Sequence, residues 1–243
     1  MKKYGLIGYP LSHSFSKKYF SDKFSREGIT DCAYEPYPIK DVSELSSLLK
    51  NEPALQGLNV TIPHKESVVS LLDYKDPVVA STGACNCIRI MNGKLFGHNT
   101  DVTGFQRSLM NSFPAMPSKA LIFGTGGAAK AVEFALNTLN MPFQLVSRKP
   151  SAFSLSYEQL TPDVMRDHKL LINTTPLGMF PQVTEAPPIP YECIDETYCL
   201  FDLIYNPETT LFLQKGASRG AKIQNGYEML VIQAEESWRI WNL

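Results

Sequence analysis

Short polar residues gather in a few segments of this chain: Ser12-His13-Ser14-Phe15-Ser16, Asn59-Val60-Thr61-Ile62-Pro63-His64-Lys65, Gly83-Ala84-Cys85-Asn86 and Asn99-Thr100-Asp101. Serine, threonine and asparagine side chains donate and accept, so together they suit a small ligand with several hydroxyls. Lys65 adds a cation able to hold a carboxylate or move a proton, and Asp101 adds a carboxylate able to orient it. The same residue types also cap helices and close turns: Ser14 precedes a helical pattern, Thr61 precedes Pro63, and Asp101 stands where an N-cap would. Both readings stay open on sequence alone. For His64 and His98, structural hydrogen bonding is the expected role.

A different chemistry is written in Gly124-Thr125-Gly126-Gly127-Ala128-Ala129, which follows the apolar run Ala120-Leu121-Ile122-Phe123 and opens a helical pattern. Small residues at such a junction permit a tight turn, approach of the backbone to a pyrophosphate, and close packing of helix on strand. The start of the helix then offers unpaired N–H groups to phosphate. The spacing is G-x-G-G-A; three places beyond Gly126 stands Ala129, small enough for the packing role. At the end of the following strand, an NAD site usually has Asp or Glu for the ribose hydroxyl. This chain has Ser147-Arg148-Lys149. Arg148 can pair a 2′-phosphate through its planar fork and Lys149 as a point charge, so the expected cofactor is NADP.

The elements that must position these residues follow from periodicity. Strands are expected at 4–8, 33–37 and 55–60, with helices at 15–27 and 41–49, the latter capped by Asp41. Residues 87–91 and 94–98 flank Asn92-Gly93, the pair that supplies the positive φ values of a two-residue hairpin turn. A helix is expected from Asp101 to about 113, and the run Pro114-Ala-Met-Pro-Ser118 is the best boundary by composition. Residues 120–147 then form a βαβ unit, followed by strands at 170–173, 200–204 and 221–224 and a helix from 227 to about 241. The proline-rich stretch 181–190 reads as a surface loop. The expected fold is α/β: an N-terminal α/β domain with a mixed, mainly parallel sheet, plus a C-terminal Rossmann-like nucleotide-binding domain.

Composition narrows the partners. The 243 residues are 44% hydrophobic and 19% charged, enough apolar material for two cores. With 23 basic against 24 acidic side chains the net charge is −1, so no basic field attracts nucleic acid or an anionic membrane. Lys2 and Lys3 are followed by Gly8, Pro10, Ser12 and His13, which interrupt any apolar signal region. Five cysteines with no C-x-x-C suggest neither a disulfide framework nor a zinc site. The expectation is a cytoplasmic monomer or homodimer with a small-molecule substrate, no metal, no nucleic acid and no membrane.

Taken in order, the segments resemble the shikimate dehydrogenases over nearly the whole chain. The matching pieces are Gly8-Tyr-Pro-Leu-Ser-His-Ser14-Phe-Ser16, Asn59-Val-Thr61-Ile-Pro-His-Lys65, Gly83-Ala-Cys-Asn86 and Gly97-His-Asn-Thr-Asp101-Val-Thr-Gly104. They continue with Gly124-Thr-Gly-Gly-Ala128, Asn173-Thr-Thr-Pro-Leu-Gly178-Met179, Asp202-Leu-Ile-Tyr205-Asn-Pro207 and Gly226-Tyr-Glu-Met229-Leu230-Val-Ile-Gln233-Ala234.

The resemblance implies NADPH-dependent, reversible reduction of 3-dehydroshikimate to shikimate on the route to chorismate and the aromatic amino acids. It implies a substrate-binding and catalytic domain of residues 1–103, completed by 226–243, and an NADP-binding domain of residues 104–225. It implies Lys65 and Asp101 as the catalytic pair, with Ser14, Ser16, Thr61, Asn86, Tyr205 and Gln233 binding substrate. Gly124, Thr125, Gly126, Gly127, Ala128, Ser147, Arg148, Lys149, Asn173, Thr174, Gly226 and Met229 would serve the cofactor. Family members commonly show Asn-Arg-Thr with another base three places on, whereas this chain has Ser147-Arg148-Lys149 and no later base before Ala152. The competing readings are an enzyme that also oxidises quinate, using NAD, and a non-catalytic sensor of nucleotide or shikimate.

Overall fold

The computed structural model describes residues 1–11 and 15–243. The chain forms two compact units, one of Met1–Thr100 with Ala234–Leu243, the other of Asp101–Gln233.

The first unit is a six-stranded sheet. Its strands are β1 (Lys2–Gly8), β2 (Cys32–Pro38), β3 (Leu55–Val60), β4 (Tyr74–Lys75), β5 (Cys87–Met91) and β6 (Lys94–His98), in the order β2-β1-β3-β5-β6-β4. β1 pairs in parallel with β2 and β3, and β5 runs antiparallel to both β3 and β6, giving the mixed sheet expected from the hairpin. The turn residues Asn92 and Gly93 have φ of 52° and 72°. Helix α1 (Phe15–Arg26) connects β1 to β2, and α2 (Leu45–Asn51) leads from β2 to β3. Asp41 caps a 3-10 turn just ahead of α2, accepting from the Ser43 amide at 2.8 Å. A short helix, α3 (Pro77–Thr82), starts on the cap Asp76, whose side chain accepts from the Val79 amide, and stops on Gly83 at φ 64°.

Alternate residues of the central strands face opposite cores. Ile7, Leu58 and Ile88 join Val60, Val68 and Val79 on one side. Tyr4, Leu6 and Cys87 join Phe20, Phe24, Tyr34 and Trp241 on the other. Each such aromatic removed from water contributes about 2–3 kcal/mol. Trp241 lies flat over Gly57, where a Cβ would stand 2.3 Å from the indole, and its Nε1 donates to the Ile88 carbonyl at 3.0 Å. Lys23, almost fully buried, pairs with Glu27 at 2.9 Å and Glu235 at 2.8 Å, tying α1 to the C-terminal segment.

The chain enters the second unit within α4 (Thr100–Ser112). The Pro114-to-Ser118 run therefore links α4 to the next strand inside this unit, because Phe105 of α4 packs edge-on against Phe201 at 5.0 Å. Strands β7 (Ala120–Phe123), β8 (Phe143–Val146), β9 (Ser154–Leu155), β10 (Leu170–Asn173), β11 (Cys199–Asp202) and β12 (Lys222–Gln224) form an all-parallel sheet in the order β12-β11-β10-β7-β8-β9. Numbered within the unit this is 3-2-1-4-5-6 read from the edge through the switch point, the arrangement of dinucleotide-binding sheets. The helices are α5 (Gly127–Thr138), α6 (Pro162–Asp167), α7 (Leu211–Ala217) and the beginning of α8 (Tyr227–Trp241), which from Ala234 on belongs to the first unit. The buried runs Ala120–Phe123 and Leu170–Asn173 are covered on both faces, as central strands of a parallel sheet must be. Gly104 lets α4 approach α8 closely: a Cβ there would meet the Met229 carbonyl at 2.7 Å and Gln233 Cβ at 3.1 Å. Among the described residues no helix is long and apolar enough to cross a membrane, and no disulfide joins the cysteines.

Candidate active site

In the first unit, the carboxyl ends of β1, β3 and β6 and the amino end of β5 share one edge of the sheet. The Thr61 amide donates to Ile7, the Val60 amide to the Asn86 carbonyl at 2.8 Å, and the Asn86 amide to His98. Thr61 and Asn86 thus stand on neighbouring strand ends, where open α/β sheets bind ligands. Gly8 is required there, since a Cβ would fall 2.4 Å from Thr61 Cγ2. The loop to Lys65 is held at both ends: the His64 amide donates to the Thr61 carbonyl at 2.9 Å and the Cys85 amide to the Lys65 carbonyl at 2.8 Å. Buried His64 bonds through Nε2 to the Ile39 carbonyl at 2.8 Å, and His98 Nδ1 lies 3.1 Å from Asp76. Both imidazoles have the structural roles expected of them. Thr61, Lys65 and Asn86 are therefore brought to one edge. Ser16 stands in the first turn of α1, while Ser14 lies outside the described residues.

Behind that edge is a buried polar chain that the sequence did not reveal as a unit. Tyr34 donates to Asn59 Oδ1 at 2.9 Å, and Asn59 Nδ2 donates to Ser237 Oγ at 2.9 Å. Ser237 Oγ lies 3.2 Å from Thr100 Oγ1. Thr100 in turn holds Asn86: its amide donates to Asn86 Oδ1 at 2.7 Å and its hydroxyl accepts from Nδ2 at 3.0 Å. Asn59 and Thr100 carried a signal, because both sit in the polar segments. Ser237 and Tyr34 carried none, reading as ordinary helix and strand positions.

The other candidates belong to the second unit. Asp101 is 8% exposed and lies in the first turn of α4. Gln233, equally buried, donates through Nε2 to the Leu230 carbonyl at 3.0 Å on α8. Burial pushes the Tyr205 phenol up. Met229 faces α4 at Gly104. The lack of a side chain at Gly226 is already imposed by packing, since a Cβ would lie 2.1 Å from the Leu203 carbonyl oxygen.

At the crevice where the strand order reverses, between the ends of β7 and β10, lies the glycine turn. Gly124 has φ 109° and donates to the Val146 carbonyl at 2.9 Å. Thr125 and Gly126 are among the more accessible residues of the turn, with Gly127 and Ala128 following at the start of α5. Ala129 is fully buried, in the packing role expected of it. Gly126 is the N-cap of α5 with no side-chain cap, and a Cβ on it would meet nothing within 4 Å. The first N–H groups of α5 thus have neither a capping side chain nor a steric screen, the arrangement that receives a phosphate. Ser147 accepts from the Lys149 amide at 3.2 Å, and exposed Arg148 and Lys149 end β8 with no acidic residue beside them in sequence. On the other side, Thr174 donates to the Phe123 carbonyl at 2.7 Å. Asn173, fully buried, donates to Asp202 at 3.1 Å and accepts from the Thr175 amide at 3.0 Å. The open amides of α5 suit the phosphates of a dinucleotide, whereas the donors of Asn173 and Thr174 are spent within the fold. Among the described residues no cluster could hold a metal ion.

Comparison with known proteins agrees with this geometry. Residues 6–88 match the family model for the shikimate dehydrogenase substrate binding domain. A shikimate dehydrogenase (NADP(+)) of Clostridium beijerinckii is 37% identical, over 99% of this chain and 92% of its own length. One from Methanococcus maripaludis is 36% identical, over 99% and 91%. The crystal structure of shikimate 5-dehydrogenase from Thermus thermophilus, in complex with NADP(H) and shikimate, superposes with a TM-score of 0.87 at 30% identity, covering 99% of this chain and 93% of that one. Matched along almost its full length in sequence and in fold, the chain is an oxidoreductase that belongs to the shikimate dehydrogenase family.

Proposed function

We propose that this protein reduces 3-dehydroshikimate to shikimate, reversibly, with NADPH, in the cytoplasmic route to chorismate and the aromatic amino acids. The observation that carries the cofactor choice is the uncapped start of α5 behind unobstructed Gly126, together with Arg148 and Lys149 where an NAD site has an acid. The Thermus relative bound with NADP(H) and shikimate supports the same pairing of ligands.

In this reading the first unit holds the substrate. Ser14 and Ser16 bind its carboxylate, and Thr61 and Asn86 its hydroxyls. The second unit holds the dinucleotide: the turn from Gly124 to Ala128 and the first amides of α5 take the pyrophosphate, and Arg148 and Lys149 the 2′-phosphate. Ser147 and Thr174 line the cleft, backed by buried Asn173, with Gly226 and Met229 near the nicotinamide. Tyr205 and Gln233 complete the substrate contacts. When bound, the reduced nicotinamide supplies the hydride that the ketone carbon takes up. Lys65 gives a proton to the ketone oxygen in reduction and removes it from the alcohol in oxidation. The part of Asp101 is to orient the Lys65 ammonium and balance its charge.

Initial rates with shikimate or quinate, and NADP or NAD, in all combinations test the proposal. Fastest turnover with shikimate and NADP is expected. A preference for quinate and NAD would reassign substrate and cofactor, and binding without turnover in any combination would make the protein a sensor.

A further inference from the structure

Asp202 ends β11 directly beside Asn173 at the end of β10, and both side chains are wholly buried. Its carboxylate oxygens both act as acceptors. Oδ1 takes the Asn173 amide at 3.1 Å and the Ile204 backbone N–H at 3.0 Å, and Oδ2 takes the Thr210 hydroxyl at 2.6 Å. Thr210 is itself fully buried and is the N-cap of α7, so that oxygen is anchored to a helix. Asn173, oriented by the carboxylate, turns its own oxygen to the Thr175 amide at 3.0 Å and the Thr175 hydroxyl at 2.6 Å, and the Thr175 hydroxyl accepts from the Leu177 amide at 3.3 Å. Thr174, inside this bonded loop, has its hydroxyl oxygen 2.6 Å from the position of a Cβ on Gly124. The bonds thus run from a buried carboxylate to Asn173 and Thr175, the two residues that flank Thr174 in the chain.

We infer that Asp202 is a positioning residue for the nucleotide site: through Asn173 it locks the loop 173–177 in the shape that faces the glycine turn, without itself reaching the ligand. The inference rests on reading the second unit as the nucleotide-binding unit. A buried anion is retained at such a place because each of these contacts is a donor belonging to the loop or to the segment that backs it. An uncharged acceptor of the same shape should keep most of the function, whereas loss of the acceptor should not.

The test compares the full-length protein with Asp202→Ala, Asp202→Asn and Thr210→Val, measuring the NADP dissociation constant by calorimetry and KM and kcat from initial rates. Asp202→Ala is expected to raise the dissociation constant and the KM for NADP about tenfold. Its kcat at saturating NADP should stay within about twofold of wild type, because Lys65, the proton-transferring residue of the proposed function, lies in the other unit. Asp202→Asn, whose amide oxygen can still accept from Asn173 and Ile204, should recover affinity to within about threefold. Thr210→Val should weaken NADP about threefold, and it carries the test if Asp202→Ala does not fold. Unchanged NADP affinity in these variants, whatever their melting temperatures, would reduce Asp202 to a stabilising residue and overturn the inference. If wild type binds neither NADP nor NAD, the nucleotide reading falls and takes the inference with it; tight binding by wild type and variants alike sinks the inference alone.

Discussion

Thr174 fastens the loop after β10 to the strand that leads into the glycine turn: its hydroxyl and its amide both donate to the Phe123 carbonyl, at 2.7 and 3.0 Å. That places its hydroxyl oxygen against Gly124, which also has φ 109°, so the fold alone excludes a side chain there. Gly126, two residues on, has ordinary φ and open space. Two glycines of one turn thus differ: the fold requires the first, and nothing within the fold requires the second.

That contrast gives a prediction. Gly126→Ala should cost about 1 kcal/mol or less of stability, the result of a poorer N-cap, yet weaken NADP at least about tenfold by obstructing the helix terminus. Gly124→Ala should lower stability by about 2 kcal/mol or more through positive φ and the Thr174 contact. Thermal melts beside NADP titrations check both. Equal loss of stability in the two variants would contradict the assignment.

Arg148 and Lys149 are exposed, so their removal should change stability by no more than about 0.5 kcal/mol. Arg148→Ala should raise the KM for NADP about tenfold or more and leave the KM for NAD nearly unchanged, because only NADP has a 2′-phosphate to pair. Lys149→Ala should do the same more weakly. The ratio of kcat/KM for NADP over NAD is the readout, and an equal effect on both cofactors would refute a 2′-phosphate role.

Burial pushes the Asp202 carboxyl from its ordinary 3.8 up to about 6, against the opposing hydrogen bonds from Thr210, Ile204 and Asn173. Tyr191 is the titratable neighbour that feels this charge. Because the folded value is the higher one, folding takes up a proton between the two. The group's contribution is thus most favourable below pH about 4 and is lost as pH rises to about 6. The full effect is bounded by about 3 kcal/mol. The unfolding free energy of wild type minus that of Asp202→Asn should therefore fall across this window and level off above it. A difference that rises with pH would mean the carboxylate is stabilised as an anion.

In the first unit, Asn59 and Ser237 form one link of the buried polar chain. Ser237→Ala removes the acceptor of the Asn59 side-chain amide in a buried site, at an expected cost of about 1–3 kcal/mol. Combined with Asn59→Leu, the two losses should be less than additive, since the second removal no longer strands a donor. Chemical denaturation of the double-mutant cycle measures this, and strict additivity would show that the bond is energetically idle.

Much of the fold was legible because local chemistry and tertiary structure agree. Residues 55–60, the 87–98 hairpin and 120–123 lie where alternation, Asn92-Gly93 and the glycine turn put them. What escaped was short or set by distant partners. β4 and β9 are two residues long and exist only as edge pairings, and α6 and α7 are brief helices whose caps, Thr161 and Thr210, resemble any loop threonine. Thr61, Lys65 and Asn86 could be nominated from the sequence, since strand-end polar residues have a reason to be there. The bonds that hold Asn86 and Asn173 in place could not, because Thr100, Ser237 and Asp202 act through partners set by sheet order.

The central claim is that Lys65 transfers the proton in a reaction on shikimate with NADP. The most direct measurement is the rise of reduced-nicotinamide absorbance with shikimate and NADP for wild type and Lys65→Ala, alongside the affinity of each protein for both ligands. The account predicts turnover by wild type and a loss of kcat of about a hundredfold or more in Lys65→Ala, with NADP affinity retained. Wild-type turnover that survives Lys65→Ala at full kcat would contradict it.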